Sequence, residues 1–236
     1  MTELISKAYN FSTNELFVLL SIKGGKNVRG VFNQQNICFN RRIVNEVVFS
    51  LIKKGILIRD TELSVIDDVA ELLDGIISAE KLIVFSTRDE SKPEQCVYVG
   101  DKCIYMRMDE KAERVSLTRY SIDEAVEVVC ENGFEIKTII NSVEVVNDTP
   151  IKLDAGSFFQ YEKMELFEKN PDVTALAIVI RTVSGDKEGQ MVLYSEKLDD
   201  YVACESAEKS VAYKYSLALL KELLIREMEG EKGDFG

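Results

Sequence analysis

The segment KLIVFSTRDESKPEQCVYVGDKCIYMRMDEKAERVSLTRYSIDEAVEVV (residues 81–129) decides the architecture, because most of it occurs a second time. Moved 95 positions along the chain, it aligns without a gap with residues 176–224, and 13 of the 49 aligned positions are identical. The identities include Ile83 with Ile178, Gln95 with Gln190, Tyr120 with Tyr215 and Ser121 with Ser216. Such self-similarity predicts that one supersecondary unit has been duplicated. The alternative is that two unrelated antiparallel meanders share a similar composition.

Each copy has the pattern of four strands followed by a helix. Apolar and β-branched runs of strand length alternate with polar or glycine-containing turns. In the first copy the strand segments are 82–85, 96–99, 103–108 and 114–118. In the second copy they are 175–183, 191–194, 201–204 and 211–213. Ser121 and Glu124 form a capping-box pattern that predicts a helix over 122–130, and Gly133 is expected to end it. Ser216 is expected to begin the matching last helix.

A further helix precedes each predicted meander, over residues 66–73 before the first and about 159–168 before the second. The acidic pair Asp67-Asp68 suits the first turn of a helix, where carboxylates interact favourably with the free N–H groups. The second acidic pair, Asp199-Asp200, interrupts the repeat and is expected in a loop.

Residues 1–65 form a predicted helical head. Ser12 and Glu15 form a capping box before an apolar run, which predicts a helix to about Ile22. A short strand over 28–32 follows. A second helix from about 40 to 54 carries its apolar residues on one face, and Gly55 is expected to end it before a strand at 56–58.

The predicted fold class is therefore α+β, with antiparallel β-meander plus helix units that are internally duplicated with quasi-two-fold symmetry, and an N-terminal helical segment. The N-terminal half comprises 1–146, which contains the head and the first repeat (66–133). The C-terminal half comprises 147–236, with a tail from about 229 that is expected to be disordered.

The net charge and the cysteine content indicate which cellular compartment and which classes of partner to expect. The net charge of −12 argues against a chain that coats nucleic acid or an anionic membrane. The charge is uneven, since residues 1–60 hold nine Lys or Arg against four Asp or Glu. The five cysteines form no CxxC pair, which favours free thiols in a reducing cytoplasm. No leader pattern and no apolar run of membrane-spanning length is present, so we expect a cytoplasmic protein that does not cross a membrane.

The sequence carries no pattern of an enzyme. It contains no histidine, which excludes Ser-His-Asp and Cys-His chemistry and histidine-ligated zinc. Neither GxxxxGK[ST] nor GxGxxG follows a strand, so a nucleotide cradle is not indicated. We therefore expect no catalytic residue, no metal and no cofactor.

Two segments are candidates for binding a partner. The segment around Phe158, Phe159 and Tyr161 is rich in aromatic residues, and it forms either a groove for a partner helix or part of the core. The second candidate is basic. A helix, a turn and a second helix that leads into a strand resemble a winged-helix protein, in which DNA would be contacted by Arg41, Arg42, Lys53 and Lys54. The alternative is that these cations only solvate the outer face of a helix.

The order of elements resembles the EspG family, cytosolic chaperones of type VII (ESX) secretion in mycobacteria. The resemblance lies in a pattern of hydrophobic residues and turns that spans most of the chain. It includes Glu15-Leu16, Leu51 with Lys54-Gly55-Ile56, Ala70-Glu71-Leu72-Leu73, Val97 with Val99-Gly100-Asp101-Lys102, Val115-Ser116-Leu117, Met191-Val192-Leu193-Tyr194 and Tyr201-Val202. The resemblance implies an antiparallel sheet with flanking helices and quasi-two-fold symmetry. It also implies binding of secreted helical-hairpin proteins of the PE and PPE type.

The sequence therefore favours a non-enzymatic cytosolic binding protein that is similar to a type VII secretion substrate chaperone. In this hypothesis an apolar groove holds a secreted helical-hairpin client and the acidic surface keeps the client in solution. The alternative is a winged-helix transcription regulator that contacts DNA through the basic residues of 1–60.

Overall fold

The computed structural model describes residues 7–25, 40–109, 113–136, 151–152, 158–196 and 199–230. Its helices are α1 (Thr13–Ile22), α2 (Arg41–Lys53), α3 (Asp67–Ser78), α4 (Ile122–Glu131), α5 (Lys163–Lys169) and α6 (Leu217–Glu229). The strands of the first part are β1 (Tyr9–Ser12), β2 (Leu57–Arg59), β3 (Leu63–Val65), β4 (Lys81–Thr87), β5 (Glu94–Val99), β6 (Cys103–Asp109) and β7 (Arg114–Tyr120). Those of the second part are β8 (Ile151–Lys152), β9 (Val173–Arg181), β10 (Lys187–Glu196), β11 (Asp199–Glu205) and β12 (Ser210–Lys214).

One large antiparallel sheet runs through both halves. Its order is β1-β7-β6-β5-β4-β9-β10-β11-β12-β8, and β2 pairs with β3 in a separate two-stranded sheet. Each half contributes a four-stranded meander and a following helix, α4 or α6. The outer strands correspond as well, because β1 pairs with β7 just as β8 pairs with β12. The α+β fold class and the duplicated architecture are confirmed.

A quasi-two-fold axis passes through the centre of the sheet, where β4 pairs with β9 and Val84 lies opposite Ile178. Two backbone hydrogen bonds flank this axis symmetrically. The amide of Arg88 donates to the carbonyl oxygen of Thr174 at 2.9 Å, and the amide of Thr182 donates to the carbonyl oxygen of Glu80 at 3.0 Å. The two donors are 94 residues apart, and so are the two acceptors.

The helices α4 and α6 are related by the same interval of 94 residues. The residues that α4 buries against the sheet are Ala125, Val126, Val129 and Cys130. Each corresponds, 94 positions further on, to a residue that α6 buries in the same cluster, namely Leu219, Leu220, Leu223 and Leu224. The structural repeat is therefore 94 residues long in its central strands and its final helix.

The interval of 95 expected from sequence identity is one residue too long for these elements. Side chains alternate between the two faces of a strand, so a one-residue error moves every side chain to the opposite face. Ile83 lies in the cluster under α4 and α6, whereas Ile178 packs on the other face. Their identity reflects two central strands that are apolar on both faces, and it does not reflect structural equivalence.

The two faces of the sheet are covered differently. The back face is covered by α4 and α6, which form one core with residues of both halves such as Phe85 and Leu193. On the front face, α1 and α3 cover the first half, where Leu19 and Leu73 belong to the same cluster as sheet residues. The front face of the second half is covered only by α5 and a single 3-10 turn (Phe158–Gln160) within the described residues.

Local capping agrees with the sequence in both halves. Ser12 caps α1 and Ser121 caps α4, and in each case the carboxylate of the glutamate three residues later accepts a hydrogen bond from the backbone amide of the cap residue. Gly133 follows α4 with φ of 105°, a left-handed conformation that glycine adopts without a steric penalty. Cys96, Cys103, Cys130 and Cys204 are buried thiols that form no disulfide within the described part of the chain, as expected.

Two local predictions are wrong. The helix expected over about 159–168 is a 3-10 turn followed by α5, because the carbonyl oxygens of Phe159 and Tyr161 accept hydrogen bonds from the Lys187 ammonium. Asp199 and Asp200 begin β11 and do not form a loop. Both carboxylates have partners there, since Asp199 pairs with Lys214 at 2.7 Å and Asp200 accepts from the Ser195 hydroxyl at 2.6 Å.

Some sequence-based expectations lie outside the described residues. They are the strand at 28–32, Cys38, the division between 146 and 147, and the tail beyond residue 230. No helix within the described part of the chain has both the length and the hydropathy needed to span a membrane.

Candidate protein-binding cleft

A cleft of about 850 Å³ opens on the front face where the two halves meet. Its first wall is the hairpin loop that connects β4 to β5, together with the end of β6. Its second wall is α5, which leads into β9. The lining residues used below are Ser86, Arg88, Glu90, Glu94, Met164, Phe167 and Glu168. The position of α5 relative to the loop determines the shape of this cleft, so its anchors are described first.

Arg88 ties the loop to the end of α5. Its guanidinium donates to the carbonyl oxygens of Phe167 at 2.8 Å, Asn170 at 2.6 Å and Val173 at 2.7 Å. The guanidinium also lies 5.5 Å from the centroid of the Phe167 ring. A cation is favourable at this position, because the last carbonyl groups of a helix carry partial negative charge. Arg88 therefore holds the C-terminal end of α5 against the first half.

The N-terminal end of α5 is held by a second polar contact. Lys163 pairs with the Glu94 carboxylate at 2.8 Å, and the hydroxyl of the buried Ser86 donates to the same oxygen at 2.8 Å. Two separate anchors thus connect α5 to strands of the first half. Such a cleft is preorganised, which lowers the conformational cost of binding a partner.

The surface of the cleft combines exposed apolar groups with unpaired carboxylates. The Met164 side chain is 63% exposed and Phe167 is half-buried. Methionine is flexible and polarisable, and it is common on surfaces that adapt to several partners. Charged residues of both signs also line the cleft: Glu90 and Glu168, which form no ion pair among the described residues, and the cations Lys92 and Arg107. The arrangement fits a partner segment with apolar side chains.

The predicted aromatic residues lie beside α5, half-buried against the front face of the second half. Phe158 packs on Tyr194 with ring centroids 5.4 Å apart, and its backbone amide donates to Glu205 at 3.0 Å. Tyr161 belongs to the same apolar cluster. The ring of Phe159 lies over the Lys187 ammonium at 4.6 Å. These contacts make Phe158 and Tyr161 part of the cover over the sheet.

A buried polar network holds this aromatic turn in place. The Glu205 carboxylate is fully buried and accepts hydrogen bonds from the Gln190 amide at 2.7 Å and the Ser210 hydroxyl at 2.8 Å. Burial lowers the pKa of the nearby Lys187 ammonium, which donates to the carbonyl oxygen of Phe159 at 2.8 Å. Sequence reasoning missed this network. The available signal was a pair of polar residues, Gln190 and Glu205, within otherwise apolar strands.

The four cations of the alternative hypothesis lie on or beside α2, and all are exposed. Two of them are engaged within the chain. Lys54 contacts both carboxylate oxygens of the buried Glu15 at 2.7 Å, and Arg42 pairs with Glu46 at 2.9 Å. Arg41 and Lys53 extend into solvent. The hairpin β2–β3 follows α2 directly, as the wing of a winged-helix protein would. However, two of the four proposed DNA-contacting residues, Arg42 and Lys54, form ion pairs within the chain.

Two buried cysteines have the raised pKa values that are typical of thiols in an apolar core. Burial raises the pKa of Cys103 to about 11 and that of Cys130 to about 12. These thiols therefore stay protonated at neutral pH and are poor nucleophiles. No group of three or more potential metal ligands occurs among the residues that the structure describes.

Comparison with known proteins gives a likeness in structure. No family model and no curated protein matches the sequence. The fold is similar to that of the Mycobacterium tuberculosis type VII secretion system chaperone EspG5, solved in complex with a PE25–PPE41 dimer. The TM-score is 0.54, the sequence identity is 10%, and the superposition covers 98% of each chain. At this level of identity the comparison shows that the chain has an EspG-like fold over nearly its entire length.

Proposed function

We propose that the protein is a non-enzymatic, chaperone-like binding protein that holds a helical-hairpin protein client in the cytoplasm before secretion. The observation that carries this proposal is the shared fold, which extends over 98% of both chains. EspG5 was solved bound to a PE25–PPE41 dimer, which makes a protein client the first candidate.

The cleft between α5 and the β4–β5 loop supports this proposal. It is held open by the Arg88 and Lys163 contacts, and it exposes Met164 and Phe167. A preorganised apolar surface of this kind suits the burial of apolar side chains from another polypeptide. The acidic net charge of −12 helps to keep a complex with an apolar client in solution.

The experiment is co-expression with the small helical-hairpin proteins encoded beside the gene, followed by size-exclusion chromatography and light scattering. We expect one of these proteins to co-elute with the chain in a complex of defined mass. The matched control is the chain mixed with the same proteins after a Met164→Glu substitution. Separate elution of every hairpin protein from the unmodified chain would contradict the proposed function.

A DNA-binding regulator is the second candidate, because α2 leads into the β2–β3 hairpin and exposes Arg41 and Lys53. A gel-shift titration at two salt concentrations tests it. Phosphate contacts release counterions, so specific DNA affinity must fall as salt rises. We expect no salt-sensitive retardation of duplex DNA. Retardation that Arg41→Glu and Lys53→Glu abolish would favour the regulator over the chaperone.

A further inference from the structure

The front face of the second half is an apolar surface that α5 and the aromatic turn (residues 158–161) cover. The strands β9 to β12 contribute its buried residues, which are Val173, Leu176, Val192, Tyr194, Ala203 and Ala212. The cover adds one fully buried residue, Leu166, whereas its aromatic residues Phe158, Tyr161 and Phe167 are half-buried. By comparison, α3 on the front face of the first half buries four residues. Fewer buried apolar side chains therefore hold α5 in place than hold α3.

The helix α5 also has little stability of its own. It is seven residues long, and its cap residue, Glu162, forms no side-chain hydrogen bond to the first turn. A helix this short is not stable alone in water, because the conformational cost of its first turn is recovered over very few hydrogen bonds. The helix therefore depends on its contacts to the rest of the chain.

Arg88 spans the link between α5 and β9. Its guanidinium donates to the carbonyl oxygen of Asn170 at 2.6 Å and to that of Val173, the first residue of β9, at 2.7 Å. One side chain from the first half thus fixes both ends of the link formed by residues 171–172. The backbone must rotate at this link if α5 moves away from the sheet, so Arg88 occupies the position of a latch.

The N-terminal end of α5 and the aromatic turn are also held by charged groups. Lys163 contacts the Glu94 carboxylate of β5 at 2.8 Å, and Lys187 and Glu205 bond the backbone of the aromatic turn. The net contribution of each such bond to stability is modest, because water replaces the lost partner when the groups separate. The cover can therefore leave the sheet at a lower free-energy cost than α3, whose contacts to the sheet are mainly apolar.

We propose that α5 and the aromatic turn form a lid that opens as one unit about residues 171–172 and uncovers the apolar front face of β9 to β12. The opening breaks the Arg88 and Lys163 contacts and leaves the sheet and the back helices α4 and α6 intact. Proteins open locally in cooperative units whose free energies lie below that of global unfolding. This motion needs no partner, so its test is independent of the proposed function.

Hydrogen exchange of the full chain detects the opening. The reference amides occupy the same position in three helices, each donating to the carbonyl oxygen of the cap residue: Leu166 in α5, Ala70 in α3 and Leu220 in α6. We expect Leu166 to exchange at least about a hundredfold faster than Ala70 and Leu220, with a smaller urea dependence that the Phe158 amide shares. Exchange of Leu166 at the rate and urea dependence of Leu220 would show that α5 opens only with the whole protein, which overturns the proposal.

Exposure of the covered face is measured with a thiol placed under the lid. Val192→Cys puts a thiol on the front face of β10, and the native Cys204, on the back face of β11, is the internal reference. Alkylation by iodoacetamide is followed by peptide mass spectrometry, which separates the two sites. We expect the introduced thiol to react at least about tenfold faster than Cys204, because the lid opens more often than the back layer.

Matched substitutions in the Val192→Cys background then identify the latch. Lys163→Met removes a cation of α5 that contacts the first half, whereas Lys169→Met removes one whose partners, Glu165 and the Tyr161 ring, belong to the lid itself. Lys163→Met and Arg88→Met should each accelerate alkylation of the introduced thiol by about tenfold, and Lys169→Met should leave it unchanged.

Equal alkylation rates in the three latch variants would overturn the proposal, as would an introduced thiol that reacts no faster than Cys204. Circular dichroism and the urea midpoint check that each variant retains the fold. The hydrogen-exchange comparison uses the unmodified chain, so it decides the question even if a variant fails to fold.

Discussion

The two halves of the sheet share a back face and differ at the front. Behind the sheet, α4 and α6 follow the same interval and bury the same positions. In front, the first half is sealed by α1 and α3, whereas the second half has a seven-residue helix and a three-residue turn. Two copies of one unit have therefore kept the layer that both need for a common core. Among the described residues, the layer over the front of the second copy is smaller, and Met164 of α5 is exposed.

The two front faces therefore differ in how much they contribute to stability and in how much apolar surface they leave exposed. Residues of α3 are enclosed by the head, so they contribute to the free energy of unfolding. In α5, Met164 is exposed and Phe167 is half-buried, and no other described residue encloses them as the head encloses α3. A protein that holds a partner needs an exposed apolar surface on a rigid support, and the duplicated sheet is a rigid support of this kind.

The largest effect is expected from truncating one apolar residue of the front-face helix in each half. Leu73→Ala should lower the free energy of unfolding by about 3 kcal/mol, because the side chain is completely buried and its truncation leaves a cavity in the core. Phe167→Ala should cost about 1 kcal/mol, since the ring is only half-buried. Urea unfolding of the full chain measures both. Equal losses would show that α3 and α5 are equally enclosed.

A smaller effect is expected from the network that holds the aromatic turn. Glu205→Ala removes the acceptor for the Phe158 amide, the Gln190 amide and the Ser210 hydroxyl. The variant should lose about 2 kcal/mol of stability, because buried donors are left unsatisfied. Hydrogen exchange of the Phe158 amide should accelerate more than exchange in β4. Glu208→Ala, at an exposed position in the next turn, serves as the control and should stay within about 0.5 kcal/mol of the wild type.

The smallest effect concerns Glu15 in the head. Its carboxylate receives hydrogen bonds from the Lys54 ammonium, the Ser12 amide and the Ser50 hydroxyl. Burial alone would raise the pKa of Glu15, but these hydrogen bonds outweigh burial and lower the pKa below its ordinary value of 4.5. Glu15→Gln should cost about 1 kcal/mol at neutral pH, since the geometry is kept and the charge is lost.

The sign of the pH dependence follows from the lowered pKa of Glu15. A group whose pKa is lower in the folded state stabilises the protein fully above its unfolded pKa, and this contribution is lost as pH falls through the folded pKa. Between about pH 5 and pH 3, the wild type should therefore lose more stability than Glu15→Gln. Parallel losses in urea titrations across this range would mean that the carboxylate is not stabilised in the folded head.

Much of the element order was predictable from the sequence, because it rests on local patterns. The capping boxes at Ser12 and Ser121 and the glycine after α4 act through bonds within a few residues. The meanders were predictable from alternation and turns. The conformation of residues 159–168 was not predictable in the same way. The first of these residues are held by Lys187 and Glu205, which lie on strands that come later in the sequence. At these residues, tertiary hydrogen bonds outweighed the local propensity for helix.

The candidate site was only partly predictable. The aromatic segment lies next to the cleft, but the structure uses Phe158 and Tyr161 to cover the sheet. The exposed groups of the cleft, Met164 and Phe167, lie a few residues further on, and no periodicity distinguishes them from core positions. Their exposure depends on how the rest of the fold covers α5, and in the described part of the chain no other helix packs on them.

The sequence by itself determined that one unit occurs twice, where its helices are capped and which residues are apolar enough to be buried. Only the tertiary structure decided that the repeat is 94 residues long in its central strands, which face each side chain occupies, and that α5 borders an open cleft. The reason is physical. Alternation and capping are local, but register is set by which face must be buried, and in strands that are apolar on both faces only packing against the helices chooses between neighbouring registers.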